Sequence, residues 1–323
     1  MFPSFNARAL GLDLSAEATI DLAAAAGFRG VDLLVRDLVD TGRDPAALRR
    51  RMEDRGLIGG AWPLPVRWRG DAATFRHDSE RLPRYAEAAA VLGLRRTGTW
   101  VLPAAEGPLA QIEALHEERL STIARILADH GTRLGLEVIG VASSWSGQGT
   151  PFLHRMGDPA FAHLLCKIRA VVPDVGVLVD AFHLYAAGEG IETGLAWGVE
   201  SIVWVHVADL PAGSDGNRAA IRDEDRGLPG EHGAVACHPL LASLSRLGYD
   251  GPVTAEPQPG CRSLAGLGPE AAARKVARAL AAIWPEAAPQ PGTGDRCSSS
   301  QGINACSPTP TDLAAWPGKI SSR

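Results

Sequence analysis

Val-Gly-Val-Leu-Val-Asp-Ala-Phe-His (175–183) leads, through an amphipathic stretch near 190–198, into Ser-Ile-Val-Trp-Val-His-Val (201–207). Each flank is a short, β-rich and almost continuous apolar run, the pattern of a parallel strand covered on both faces. The intervening stretch has helical spacing, so the whole reads as one strand–helix–strand unit. The same unit recurs in both directions. Strand-like runs fall near 2–6, 30–35, 57–63, 96–102, 134–140 and 252–256. Helix-like runs fall near 15–26, 44–55, 78–92, 108–130, 158–171, 238–247 and 268–284. Asp44-Pro45 and Asp158-Pro159 each put a capping residue before a proline at the first helical position, and Gly56, Gly93, Gly131 and Gly248 stand where helices should stop. Eight strands, each followed by a helix, predict a single (β/α)8 TIM barrel over 1–284. An open doubly wound sheet is the alternative, but no Gly-x-Gly-x-x-Gly turn follows the first strand.

Two segments depart from this rhythm. Residues 208–237 form a connection too long for an idle loop and are expected to carry function. Residues 285–323, rich in Pro, Ser, Gly and Thr, read as a disordered tail. The remaining composition excludes more than it selects. A net charge of −5 leaves no basic footprint for nucleic acid. No apolar run is long enough for a membrane span. The first residues lack a basic segment followed by an apolar run, and the five cysteines have no regular spacing, so a reducing, cytoplasmic setting is expected.

In a barrel of this kind the active site lies at the C-terminal ends of the strands. Polar residues late in apolar strands are therefore the candidates: Glu137 in Leu-Gly-Leu-Glu-Val-Ile-Gly, Asp180 and His183, His206 and Asp209, and Glu256 in Pro-Val-Thr-Ala-Glu-Pro. They come from the fifth to the eighth strands, which are neighbours in a closed barrel. Carboxylates gathered in such a place raise one another's pKa values unless a cation intervenes. Three oxygen ligands and one imidazole nitrogen suit one divalent ion: manganese, magnesium, cobalt or iron, with zinc not excluded. Asp209 is expected to orient His206, fixing its tautomer, or to cap a helix. Trp62, Trp68 and Trp100 could wall the pocket. His77, His116, His130, His154 and His163 are expected at the surface.

Gly-Phe-Arg-Gly-Val-Asp-Leu (27–33), Gly-Leu-Glu-Val-Ile-Gly (135–140), Val-Asp-Ala-Phe-His (179–183), Val-His-Val-Ala-Asp (205–209), Arg-Gly-Leu-Pro-Gly-Glu (226–231) and Gly-Tyr-Asp-Gly-Pro-Val-Thr-Ala-Glu (248–256) together resemble the sugar phosphate isomerase/epimerase superfamily. Its xylose isomerase-like TIM barrels are also grouped as AP endonuclease family 2-like. The resemblance implies that Glu137, Asp180, His206 and Glu256 are metal ligands and that Glu137 and Glu256 form the acid–base pair. It implies that His183 binds substrate and places Arg226 and Glu231 in a loop at the site; Trp100 completes the expected substrate contacts. The implied activity is isomerisation or epimerisation of a sugar, keto-sugar or keto-polyol, a small polyhydroxylated carbonyl compound, through an enediolate. A dehydratase of the inosose or dehydroshikimate type would use the same ligands. A barrel that only binds is the non-catalytic alternative, and a homo-oligomer is compatible with the family. The chain departs from the family pattern in two places. Gly233-Ala-Val-Ala-Cys lacks an acidic residue, and Ser143-Ser144 stand where ketose epimerases place a further polar group.

Overall fold

The computed structural model describes residues 1–214 and 217–286. The tail expected to be disordered lies, from residue 287 on, outside the described residues. The strands are β1 (Phe2–Phe5), β2 (Gly30–Val31), β3 (Ile58–Gly59), β4 (Trp62–Pro63), β5 (Arg96–Trp100), β6 (Ala104–Ala105), β7 (Arg133–Glu137), β8 (Thr150–Pro151), β9 (Gly176–Asp180), β10 (Ile202–Val207) and β11 (Pro252–Ala255). Nine of them form a sheet in the order β3-β2-β1-β11-β10-β9-β7-β5-β4, with every pairing parallel. The two ends of that order, β3 and β4, are halves of one segment separated only by Gly60 and Ala61, so the sheet closes on itself. Eight staves result, as the alternation of apolar runs predicts.

The helices are α1 (Ala16–Ala25), α2 (Val35–Asp40), α3 (Pro45–Glu53), α4 (Ala72–Leu92), α5 (Leu109–Asp129), α6 (Pro159–Arg169), α7 (Ala181–Ala186), α8 (Ile191–Leu195), α9 (Cys237–Arg246) and α10 (Pro269–Ile283). The caps read from sequence are present. Asp44 and Asp158 accept from the amides of Ala46 and Ala160 at 2.9 and 2.8 Å. Gly93 ends α4 at φ 77°, a backbone conformation that costs glycine little. Three features differ from expectation. α4 begins at Ala72, earlier than near 78, because Asp71 caps it by accepting from Thr74 N at 2.7 Å. The short helices α2 and α7 add turns directly after the second and sixth staves. In α7 the capping group is Asp180 itself.

Apolar side chains of the staves pack outward against the helices in one large core. Inside the barrel, Ala61, Leu178 and Trp204 form a separate small cluster. Trp204 fits because Gly98 faces it: a Cβ there would lie 2.7 Å from Leu178 Cδ1 and 3.3 Å from Trp204 Cε3. The indole Nε1 donates to Thr254 Oγ1 at 2.9 Å, and Thr254 Oγ1 donates to Asp32 Oδ2 at 2.7 Å. Asp32 Oδ1 also accepts from Ser4 Oγ and Ala61 N, at 2.6 and 2.8 Å. Burial outweighs these bonds and pushes the Asp32 carboxyl up to about 6. This packed floor closes the barrel beneath its C-terminal mouth. Trp62 and Trp68 are fully buried and belong to the core, not to a pocket wall. His116 is also fully buried, contrary to the expected surface position. Its ring is edge-on to both Trp68 and Phe152, with centroids 4.8 and 5.4 Å away.

Candidate metal centre

Parallel registration brings the candidates to one level. Asp180 pairs with His206 across β9 and β10, and Glu137 ends β7 opposite Trp100 of β5. Glu256 immediately follows β11, its amide donating to Val207 O at 3.0 Å. As a result Glu137, Asp180, His206 and Glu256 each present a ligand atom within 4.8 Å of all the others. His206 Nδ1 stands 3.2 Å from Glu256 Oε2, 3.4 Å from Glu137 Oε1 and 3.9 Å from Asp180 Oδ2.

The electrostatics follow from that crowding. Burial opposes a charged imidazole, yet Glu256 and Glu137 raise His206 well above the ordinary histidine value. Burial pushes the Glu137 carboxyl up despite His206. For Asp180 burial acts in the same direction, but Arg226 outweighs it, with help from His206, and holds the carboxyl well below the carboxylate range. Glu256 is lowered too, His206 and Arg226 prevailing over burial. Glu137 Oε1 and both ring nitrogens of His206 are buried without a hydrogen-bond partner. Orphaned groups of this kind are rare because each costs about 1–3 kcal/mol. An ion accepting electron pairs from all four residues would satisfy Glu137 Oε1 and the His206 nitrogen that faces the carboxylates, so the donor set fits a divalent cation.

Arg226, fully buried, bridges this cluster to the next layer. Its Nη1 donates to Asp180 Oδ2 at 2.7 Å and lies 3.3 Å from Glu256 Oε2. Its Nη2 lies 2.7 Å from Asp223 Oδ1 and donates to His183 Nε2 at 2.9 Å. Arginine has no acceptor, so His183 Nε2 is unprotonated here and Nδ1 carries the hydrogen. Beneath the guanidinium lies the Phe182 ring, 4.7 Å away. Glu137, His183, Arg226, Glu256 and Trp100 all line one cavity of about 810 Å³.

Two expected site residues are placed elsewhere. Asp209 does not reach His206. Its carboxylate accepts from the amides of Leu210, His232, Gly233 and Val235 at 2.8, 3.0, 2.5 and 3.0 Å and so clamps the long loop. The His206 ring instead meets the edge of Trp204, centroids 4.5 Å apart. Glu231 is likewise spent on its loop, accepting from Leu228 N at 2.9 Å and Ser263 Oγ at 2.5 Å. Conversely, sequence reasoning missed two residues that line the cavity and one that packs on Trp100. Asp223 anchors Arg226 and lines the cavity. Gln258 lines it with a left-handed backbone, φ 65°, a strained conformation of the sort found at ligand sites. Arg69 stacks on Trp100 with its guanidinium 3.5 Å from the ring centroid. The Asp223–Arg226 pair is visible in no local motif, and only the left-handed bend after Glu256-Pro257 had a weak cue, the second proline at 259.

The chain matches the family model described as a xylose isomerase-like TIM barrel over residues 20–283, and it belongs to that family. No curated protein sequence matches it. Among solved structures it is similar to a xylose isomerase domain protein from Alicyclobacillus acidocaldarius subsp. acidocaldarius. Identity there is 26%, TM-score 0.76, covering 88% of this chain and 98% of that one. The IOLI protein with a binding zinc atom has the same fold at 17% identity and TM-score 0.71, covering 88% and 98%. So does a D-psicose 3-epimerase studied in the presence of D-fructose, at 16% identity and TM-score 0.64, covering 87% and 97%. No helix among the described residues is long and apolar enough to cross a membrane.

Proposed function

We propose that this barrel is a divalent-metal-dependent isomerase or epimerase of a polyhydroxylated carbonyl compound. The observation that carries the reading is the buried His206, neither ring nitrogen hydrogen-bonded, with Nδ1 set among three carboxylates from adjacent staves. Glu137, Asp180, His206 and Glu256 would hold the ion; mixed oxygen and imidazole donors suit manganese, magnesium, cobalt or iron, and the zinc named for one similar structure keeps zinc in the set. When bound, the ion supplies Lewis-acid polarisation of the carbonyl and a counter-charge for the enediolate.

The chain's own groups supply the proton traffic. Glu137 and Glu256 approach from opposite sides of His206, on β7 and after β11. One removes the proton from the carbon beside the carbonyl, and the other returns a proton to the neighbouring carbon or the opposite face. His183 and Arg226, locked together and lining the cavity, orient the substrate oxygens. Trp100, the neighbour of Glu137 across β5 and β7, lines the same cavity. The D-psicose 3-epimerase likeness is compatible with this chemistry.

The test is proton exchange. Manganese-loaded protein incubated with a panel of ketoses and keto-polyols in deuterated water should incorporate deuterium beside the carbonyl, read by NMR. Glu137→Gln and Glu256→Gln should each keep the fold and lose about 10²–10⁴-fold of that rate. Water loss with an absorbing enone would indicate a dehydratase instead. Unchanged turnover in both variants would refute the acid–base roles of Glu137 and Glu256, and no exchange by the wild type on any member of the panel would leave the barrel a binding protein.

A further inference from the structure

The space above the acidic cluster has two lobes, which meet at Trp100, Glu137, Glu256 and Gln258. The smaller, about 410 Å³, is bordered by polar groups of Asn6, Arg8 and Thr99. The larger, about 810 Å³, runs outward between the loops that follow β5 and β7. One stretch of its wall is aliphatic: Leu102, Pro103, Ile112 and Ile139. Away from the metal centre and its partner Asp223, the polar lining comes from Glu106, Ser143, Ser144, Gln148 and Gln258.

That wall is built, not a gap left by loose packing. The buried His116 accepts from Leu102 N at Nε2, 3.4 Å, and donates from Nδ1 to Ile112 O at 2.8 Å. One ring, wedged against Trp68 and Phe152, therefore pins two of the four aliphatic residues. Farther out, Ala104–Ala105 of β6 pairs with Thr150–Pro151 of β8, bracing one loop against the other.

A free sugar suits this lobe badly. It carries a hydroxyl on nearly every carbon, and a hydroxyl pressed against aliphatic side chains loses its water partners without replacement. Apolar surface placed there is favoured instead. The volume lies in the upper part of the roughly 300–1,000 Å³ range of drug-sized ligand sites, so a single hexose leaves much of it unfilled. We infer that the substrate is amphiphilic: a polyhydroxylated carbonyl head at the metal centre, bearing an aryl or alkyl substituent that occupies the aliphatic lobe. The inference deepens the proposed function and rests on it.

The test keeps the head group constant. Manganese-loaded protein is titrated calorimetrically with two ketoses that differ only in their substituent, 1-O-methyl-D-fructose and 1-O-phenyl-D-fructose. Burial of about 60 Å² of phenyl surface suffices for a tenfold gain, so the phenyl compound should bind about tenfold tighter or better. Ile112→Asn and, separately, Leu102→Asn should collapse that preference, circular dichroism confirming the fold of each. A phenyl compound that binds no tighter than the methyl one in wild type, including the case where neither binds at millimolar concentration, overturns the inference. So does a preference unaffected by both substitutions. The two readings fail separately. Ketose exchange without phenyl preference sinks the amphiphilic substrate alone. Phenyl preference in a chain that holds no metal supports the lobe and sinks the metal centre.

Discussion

Replacing Arg226 with Met should destabilise the metal-free protein far more than the metal-loaded one. Arg226 and the Asp180 side chain are each 1% exposed, and they meet at 2.7 Å. The guanidinium also faces Glu256 at 3.3 Å, whereas its contact to the 41%-exposed Asp223 is partly screened by water. Removing one partner of a buried pair leaves the other charge uncompensated, at a cost of about 3–5 kcal/mol. A bound divalent ion would take over as counter-charge for Asp180 and Glu256, so the loss should fall to about 2 kcal/mol or less in its presence. By linkage the same difference, at least about 1–3 kcal/mol, must appear as tighter binding: Arg226→Met should hold the ion about 5- to 150-fold more tightly or better, the positive guanidinium no longer opposing it. Urea unfolding of both proteins, in chelator and in saturating manganese, measures the first quantity, and metal titration the second. A loss below about 1 kcal/mol in chelator, or one indifferent to metal, would refute the idea that Arg226 serves as the resident counter-ion.

Three further outcomes are expected. Asp32 rises from 3.8 to about 6 on folding, so it binds more protons in the native state and stability falls as pH climbs through that window; Asp32→Asn should therefore lose about 3 kcal/mol more than wild type on acidification from pH 6.5 to 4, by urea unfolding. Burial lowers His116 from 6.5 to about 4, so the unfolded state binds more protons there and stability falls as pH drops; His116→Gln should lose about 3 kcal/mol less than wild type over the same range. Asp209→Ala strips four amides of their acceptor and should release the loop, with amide exchange over residues 227–235 accelerating by about a hundredfold or more, while the barrel staves keep their protection.

Much of this molecule is legible in its sequence because burial on both faces forces the staves to be apolar. A polar residue in such a run, Glu137 or His206, is then conspicuous, and closure of the barrel makes residues distant in sequence into neighbours. The same logic fails where polar groups are satisfied by backbone. Asp209 and Glu231 resemble site residues in type and position, but their oxygens are taken by loop amides whose placement no local pattern records. His116 sits on an otherwise amphipathic helix, and only the fold reveals that its ring is enclosed by Trp68 and Phe152. Short α7 was missed because its capping residue, Asp180, stands at the end of a strand and serves strand, helix and metal centre at once.

The most direct measurement is elemental analysis of the purified protein paired with anomalous diffraction from its crystals. Close to one divalent ion per chain is expected, seated among Glu137, Asp180, His206 and Glu256 and lost in His206→Ala. Protein that exchanges substrate protons at full rate after exhaustive chelation, with no anomalous peak between those four side chains, would contradict it.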